Sequence, residues 1–253
     1  MKFLHISDLH YSNDFQGKGG SFNKVFMAMD NPLEQLKSVT DRNKKYDFVL
    51  VTGDVCEFGS VEEYRKVKSY LEELFACPVI GTAGNHDNIP NFEAGFNELF
   101  YVEEVKQVKI ISFNSASNQN DDGIISEETI SALKKELEQK TEKKIILITH
   151  HHLMQQQFVL KNAENSDKIE KVIKDSNAVL ILTGHTHHFY VHSFAEKPYF
   201  TTGSVSFVVE NEDGVLNVYQ EPLVNEYKVT DKAIICRPLK HRDKVLLVAN
   251  LKI

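Results

Sequence analysis

The chain of 253 residues is short of three things, and each shortage removes a class of protein. Cysteine is the first. Cys56, Cys77 and Cys236 are odd in number, widely spaced and without a CxxC pair, so no disulfide framework is expected and a reducing, cytoplasmic setting follows. Positive charge is the second. A formal net charge of −7 argues against an electrostatically driven nucleic-acid binder and favours a small or weakly charged partner, a local basic patch being the one route left to nucleic acid. Long hydrophobic runs are the third. Met1 to Ile6 passes straight into polar residues without the apolar stretch of a signal peptide, and no later run reaches membrane-spanning length. A buried first strand and no membrane insertion are therefore expected. Internal repeats and low-complexity segments are missing as well.

What is present is an alternation of strand-like and helix-like segments. Residues 3–6, Phe48 to Val51, Val79 onward, Val108 to Phe113, Ile145 to Ile148 and Ala178 to Leu182 are short apolar runs of strand length. Between them lie helix starts. Asn31-Pro32-Leu33-Glu34 offers an N-cap amide, proline at the first helical position and a glutamate that can bond back, and Ser60-Val61-Glu62-Glu63 and Ser126-Glu127-Glu128-Thr129 open further helices. Phe92, Phe96, Leu99 and Phe100 predict a short helix, and another is expected near Lys168 to Lys174. From Phe189 onward the runs become short and β-rich, including Val205 to Val209 and Val245 to Val248. One domain over 1–253 is expected, with a βα-alternating part at 1–188 and a β-rich part at 189–253. Its class is α/β: two mixed sheets packed face to face with helices outside.

Polar knots follow five of these strands: Ser7-Asp8-Leu9-His10, Gly53-Asp54, Gly84-Asn85-His86-Asp87, His150-His151-His152 and Gly184-His185-Thr186-His187. In parallel α/β sheets ligands bind beyond the carboxyl ends of the strands, so the knots are expected to converge. Convergence of Asp8, His10, Asp54, Asn85, His150, His185 and His187 assembles two carboxylates, one amide and four imidazoles. Such a cluster is costly when buried without cations. Seven donors exceed one tetrahedral ion and suit two ions that share a carboxylate, with positions open for water and substrate. Nitrogen and oxygen donors favour Mn, Fe or Zn over calcium or magnesium. A pair of ions roughly 3.5–4 Å apart lowers the pKa of a water and clamps an in-line displacement at phosphorus. Each knot alone is weak, since GNHD also reads as a turn capping the next helix; the ordered set carries the argument.

Taken together, the knots DxH, GD, GNHD, a lone His after a strand and GHxH resemble the calcineurin-like metallophosphoesterase superfamily over residues 8–187, most of all its bacterial cyclic-nucleotide phosphodiesterases. The resemblance implies an αββα fold, with the β-rich tail as its second sheet. It also implies Asp8, His10 and His187 on one metal, Asn85, His150 and His185 on the other, and Asp54 bridging. His86 is implied as the group that contacts the phosphate and protonates the leaving oxygen, Asp87 as the carboxylate orienting it, and a metal-bound hydroxide as the nucleophile. At 150–152 His150 is favoured as the ligand because it lies nearest the strand end. His151 is left as a substrate contact, and His152 stands where family members often carry proline.

Other residues take plainer readings. His5 is expected as a hydrogen-bonded core residue, His188 and His192 as surface or supporting groups, His241 as part of a charged turn, and Cys56 as a small structural residue near Asp54. The loop Tyr11 to Asp30 carries Gly17, Gly19, Gly20, Phe22, Phe26 and Met27, and can fold over a site. The expected activity is hydrolysis of a small phosphodiester such as a cyclic nucleotide. The alternatives are a phosphomonoesterase, an SbcD-like nuclease, for which the chain is short and acidic, and a non-catalytic scaffold, which has no physical reason to keep every donor. Oligomerisation is left open.

Overall fold

The computed structural model describes residues 1–253 apart from 17–21, 42, 118–120, 156, 159, 214, 242–245 and 253. Gly17, Gly19, Gly20 and Val245, all within segments singled out above, lie outside the described residues.

Two large sheets form the centre. The first contains β1 (Lys2–Ile6), β2 (Phe48–Thr52) and β3 (Val79–Thr82), all parallel, extended beyond β1 by β12 (Leu223–Val229) and β13 (Ile234–Lys240). The second runs in the order β4 (Phe100–Val105), β5 (Val108–Phe113), β6 (Lys144–Ile148), β7 (Ala178–Thr183), β9 (Lys197–Thr201) and β8 (Tyr190–Phe194), with β5, β6, β7 and β9 parallel. Strand residues alternate faces, so an apolar run serves two cores at once. Phe3, Phe48, Leu50 and Ile80 of the first sheet meet Ile110, Ile146, Ile148 and Leu182 of the second. On the opposite face, Leu4, Ile6, Val49 and Val51 pack against α2 (Pro32–Val39), α3 (Val61–Phe75) and α4 (Ile89–Gly95). Ile111, Ile145, Leu147 and Ile181 likewise pack against α5 (Glu127–Leu137) and α6 (Ser166–Lys174). The helix–sheet–sheet–helix layering expected from the sequence is thus present. Among the described residues no helix is long and apolar enough to cross a membrane.

The caps form where the sequence places them. Ser60 accepts from Glu63 N–H while Glu63 Oε2 accepts from Ser60 N–H at 2.9 Å, a reciprocal capping box. Asn31 Oδ1 accepts from Leu33 N–H, but Glu34 turns outward to Lys37 rather than bonding back.

Two expectations are corrected. Phe100 does not end the helix: α4 stops at Gly95, and residues 100–105 form an edge strand whose solvated glutamates, Glu103 and Glu104, hide its period. Nor is the β-rich tail the second sheet. Its strands divide three ways: β8 and β9 extend the second sheet, β12 and β13 the first. A third, antiparallel sheet forms from β10 (Val208–Glu212), β11 (Val215–Gln220) and β14 (Leu246–Lys252). The centre of the second sheet needs strands apolar on both faces, and only the βα-alternating part supplies them. The third sheet packs on a short helix, α1 (Asn23–Ala28), through Val25, Phe26, Phe207 and Val218.

Candidate metal centre

Five of the seven candidate ligands have left-handed backbone: φ is 54° at Asp8, 47° at His10, 48° at Asp54, 72° at His185 and 59° at His187. Aspartate and histidine tolerate this region better than most residues, yet each instance costs on the order of 1 kcal/mol or more and must be held by its surroundings. The surroundings are on both sheets. Asp8 N–H donates to Gly53 O, His10 N–H to Asp54 O, and Gly184 N–H to His150 O. Ser204 and Ser206, in the turn before β10, both donate their hydroxyls to Asp8 O, at 2.9 and 2.8 Å. Glycine is required twice in the same corner. Gly53 sits at φ 88°, and a Cβ on Gly84 would run into the Asp54 carboxylate.

These turns bring all seven side chains together in two groups. In one, ligand atoms of Asp8, His10, Asp54 and His187 all lie within 4.8 Å of one another. His187 Nε2 is 3.3 Å from Asp8 Oδ1, and His10 Nε2 is 3.7 Å from Asp54 Oδ2. In the other, His150 Nε2 is 3.1 Å from Asn85 Oδ1 and 3.4 Å from the same Asp54 oxygen, with the His185 ring centroid 5.0 Å from that of His150. Asp54 therefore lies between the groups.

The tautomers follow from the partners of the other ring nitrogens. His150 Nδ1 donates to Thr52 O at 2.7 Å and His187 Nδ1 to Phe207 O at 2.7 Å; a carbonyl can only accept. His10 Nδ1 faces Glu57 Oε2 at 3.1 Å. When these rings are neutral, each Nε2 presents a lone pair inward, and His10 Nε2 and His187 Nε2 confront one another at 3.3 Å. His150 Nε2 faces the Asn85 and Asp54 oxygens; burial lowers the pKa of this imidazole, but the charge and hydrogen bond of Asp54 outweigh it and raise it to about 9, so a proton occupies this place unless a cation does. Asp8 Oδ1 is buried without a hydrogen-bond partner. Acceptors facing acceptors in a buried site need an electropositive centre between them, so the donor set fits metal ions, and the tied Nδ1 atoms are the supports that metal-binding imidazoles require. Burial opposes the ionised form of Asp54, but the imidazoles of His150, His86 and His10 outweigh it and hold the carboxyl well below its ordinary range.

His86 stands at the edge of this cluster, its backbone N–H on Asp54 Oδ1 at 2.9 Å and its side chain 32% exposed. The expected partner of its ring is corrected. Asp87 accepts instead from backbone N–H groups of Val55, Cys56 and Gly84, tying the 53–56 turn to the 84–87 corner. The carboxylate on His86 Nδ1 is Glu57 Oε2, at 2.9 Å, the same oxygen that faces His10. Its sequence signal was the spacing alone, three residues beyond Asp54. Ser204, Ser206 and the Phe207 carbonyl left no signal, because they support the site from a segment that reads as strand.

Of the triplet, His150 projects into the cluster. His151 lies close enough to His150 and His185 to be grouped with them, but Ser115 Oγ and Asp121 O already engage its two ring nitrogens. His150 Nε2, by contrast, is turned toward Asn85 and Asp54. His152 is fully buried beneath, its ring stacked 6.0 Å from that of His185. The remaining residues read plainly: His5 bonds Thr52 Oγ1 in the core, His188 faces Val209 O, His241 meets Ser38 near the surface, and none of the three cysteines is in a disulfide.

A cavity of 340 Å³ opens over the cluster, lined by His10, Asp54, Asn85, His86, His185 and His187 and by apolar residues that include Phe22, Phe26, Phe207 and Leu216.

A family model described as calcineurin-like phosphoesterase matches residues 1–189. Among curated proteins, a "probable glycerophosphodiester phosphodiesterase" of Arcobacter nitrofigilis is 30% identical over 148 residues, 54% of this chain and 52% of its own length. A "probable cyclic nucleotide phosphodiesterase" of Rhodococcus erythropolis is 24% identical over 249 residues, 88% of this chain and 81% of its own. The match spans about half the length of several curated relatives, 52%, 57% and 55% in three of them. Among solved structures, a dimetal phosphatase from Danio rerio superposes with a TM-score of 0.63 at 11% identity over 98% of both chains. A purple acid phosphatase from yellow lupin superposes at 0.62 and 11% identity, over 98% of this chain and 52% of its own. At these identities the structural matches establish the fold alone.

Proposed function

The chain belongs to the calcineurin-like phosphoesterase family, and from that premise we propose that it is a binuclear metal-dependent hydrolase of a small phosphodiester. The observation that carries the reading is the inward convergence of imidazole nitrogens and carboxylate oxygens on both sides of Asp54. Asp8, His10 and His187 would hold one ion, Asn85, His150 and His185 the other, with Asp54 shared. When bound, two such ions supply charge neutralisation at the phosphoryl oxygens and an activated water. Manganese, iron and zinc all suit the donors.

The protein's own side chains do the remaining work. His86 lines the cavity with Nδ1 held on Glu57, and in its protonated form both ring nitrogens carry hydrogen, so Nε2 offers a proton to a leaving oxygen. Burial pulls this imidazole's pKa down, but the charge of Asp54 and the bond and charge of Glu57 outweigh it and bring it up to about 10. Bound cations would offset the Asp54 contribution, leaving Glu57 as the support of the protonated ring. Glu57 links the two halves of the device, since one oxygen orients both His10 and His86. The names of the curated relatives favour a diester, and three cysteines outside any disulfide suit a cytoplasmic setting. The test is hydrolysis of bis(p-nitrophenyl) phosphate and p-nitrophenyl phosphate by stripped protein reloaded with manganese, iron or zinc. Metal-dependent turnover favouring the diester is expected. Preference for the monoester would make the protein a phosphatase, and silence on both would withdraw the catalytic reading.

A further inference from the structure

One wall of the cavity has no role in holding metal. Phe207 lies edge-on to His187, ring centroids 4.4 Å apart, and Phe22 stacks toward Phe207 at 5.9 Å with the planes 23° apart. Phe26 closes the corner, 5.7 Å from Phe207 and 5.3 Å from His10. Leu216 of the third sheet completes the wall. These residues come from α1, the segment before it, the turn before β10 and the third sheet, the parts of the fold least needed to build the two-sheet sandwich. Phe26 and Phe207 also pack in the small core between α1 and the third sheet, whereas Phe22 and Leu216 are only partly buried and leave apolar surface on the cavity, which Phe158, Leu160 and Val209 line as well. Among the described residues the lining holds no lysine or arginine, and Asp121 adds negative charge. Beyond bound cations, such a site offers little to a second phosphate charge.

Resting on the proposed phosphodiesterase reading, we infer that one ester substituent of the substrate is a planar apolar ring, seated against Phe22, Phe26, Phe207 and Leu216. It is chosen by burial and ring contact rather than by charge pairing. The phosphate would sit at the cluster and the ring beyond His187. A cavity of 340 Å³ has room for a phosphate and one ring, at the small end of ligand sites.

The experiment is calorimetric titration of phenylphosphonate and methylphosphonate into manganese-loaded protein, each ligand having one carbon substituent on phosphorus and so one candidate for the wall. Phenylphosphonate is expected to bind at least about tenfold tighter, and Phe22→Ala and Leu216→Ala each to shrink that ratio severalfold. Equal affinities in the unaltered protein overturn the inference, as does a ratio that survives both substitutions. A nucleobase and a phenol-type ring share this chemistry, and adenosine 5′-monophosphate against ribose 5-phosphate separates them. A gain from adenine assigns the wall to a base, and no gain beside a retained phenyl preference assigns it to the smaller ring. Diester hydrolysis without any ring preference sinks this inference alone. Absence of hydrolysis and of phosphonate binding sinks the phosphodiesterase reading with it.

Discussion

The two ends of the sandwich make an instructive pair. At the end away from the candidate metal centre, Met1, Asp47, Lys106, Lys144 and Asp231 surround a cavity of 450 Å³, larger than the 340 Å³ over the metal cluster. Its charges are matched: Lys106 pairs with Asp47, Lys144 with Asp231 at 3.2 Å, and Asp47 also accepts from Lys2 N–H at 2.7 Å. Water reaches most of them, Asp231 being 97% exposed. At the other end Asp8 and Asp54 are buried, the donors face one another unmatched, and the backbone is held in a costly conformation to keep them there. Volume would select the wrong end. Unmatched, convergent and strained groups select the site, because folding opposes such an arrangement unless a ligand completes it.

The sharpest way to break this contrast is to remove the shared carboxylate. Asp54→Ala is expected to lower turnover of an activated diester by more than about a thousandfold, beyond the loss of a single transition-state donor. It should also reduce bound metal, read by elemental analysis; unchanged metal content would refute the bridging assignment. His86→Ala should lower kcat by about a hundredfold while metal content stays. Undiminished kcat would remove its catalytic role. Chelation should lower stability and re-addition restore it, by roughly 3 kcal/mol per site at a hundredfold excess over Kd. Equal denaturation midpoints with and without manganese would contradict the reading of the facing acceptors.

A finer test separates the two carboxylates near His86. Glu57→Gln should cost about ten- to a hundredfold in activity or metal affinity, the usual effect of losing a group that orients a ligand. Asp87→Asn turns an amide NH2 toward backbone donors and should instead destabilise the fold by about 1–3 kcal/mol in chemical denaturation. Reversed outcomes would restore Asp87 as the orienting group. The smallest effect belongs to the far end, where Asp47→Ala and Lys144→Ala should leave activity unaltered and shift stability by no more than about 1 kcal/mol.

The legible part of the site was local. Knots such as Gly84 to Asp87 and Gly184 to His187 stand directly after apolar strands, and strand ends deliver side chains predictably. The illegible part was long-range. Glu57 became visible only when the turn after β2 met the 84–87 corner, and Ser204, Ser206 and Phe207 only when the tail crossed back to the Asp8 turn. Phe22, an aromatic in a polar loop, has the same signal whether it packs down or lines a cavity.

Residue type and spacing by themselves determined the strand–helix alternation, the caps at Asn31 and Ser60 and the set of donors, because periodicity and capping are properties of neighbouring residues. Tertiary structure alone decided how the tail divides among three sheets, which oxygen faces His86 and His10, and which His of 150–152 points inward. Those choices depend on segments far apart in sequence sharing one volume, where every buried donor and acceptor has to find its counterpart.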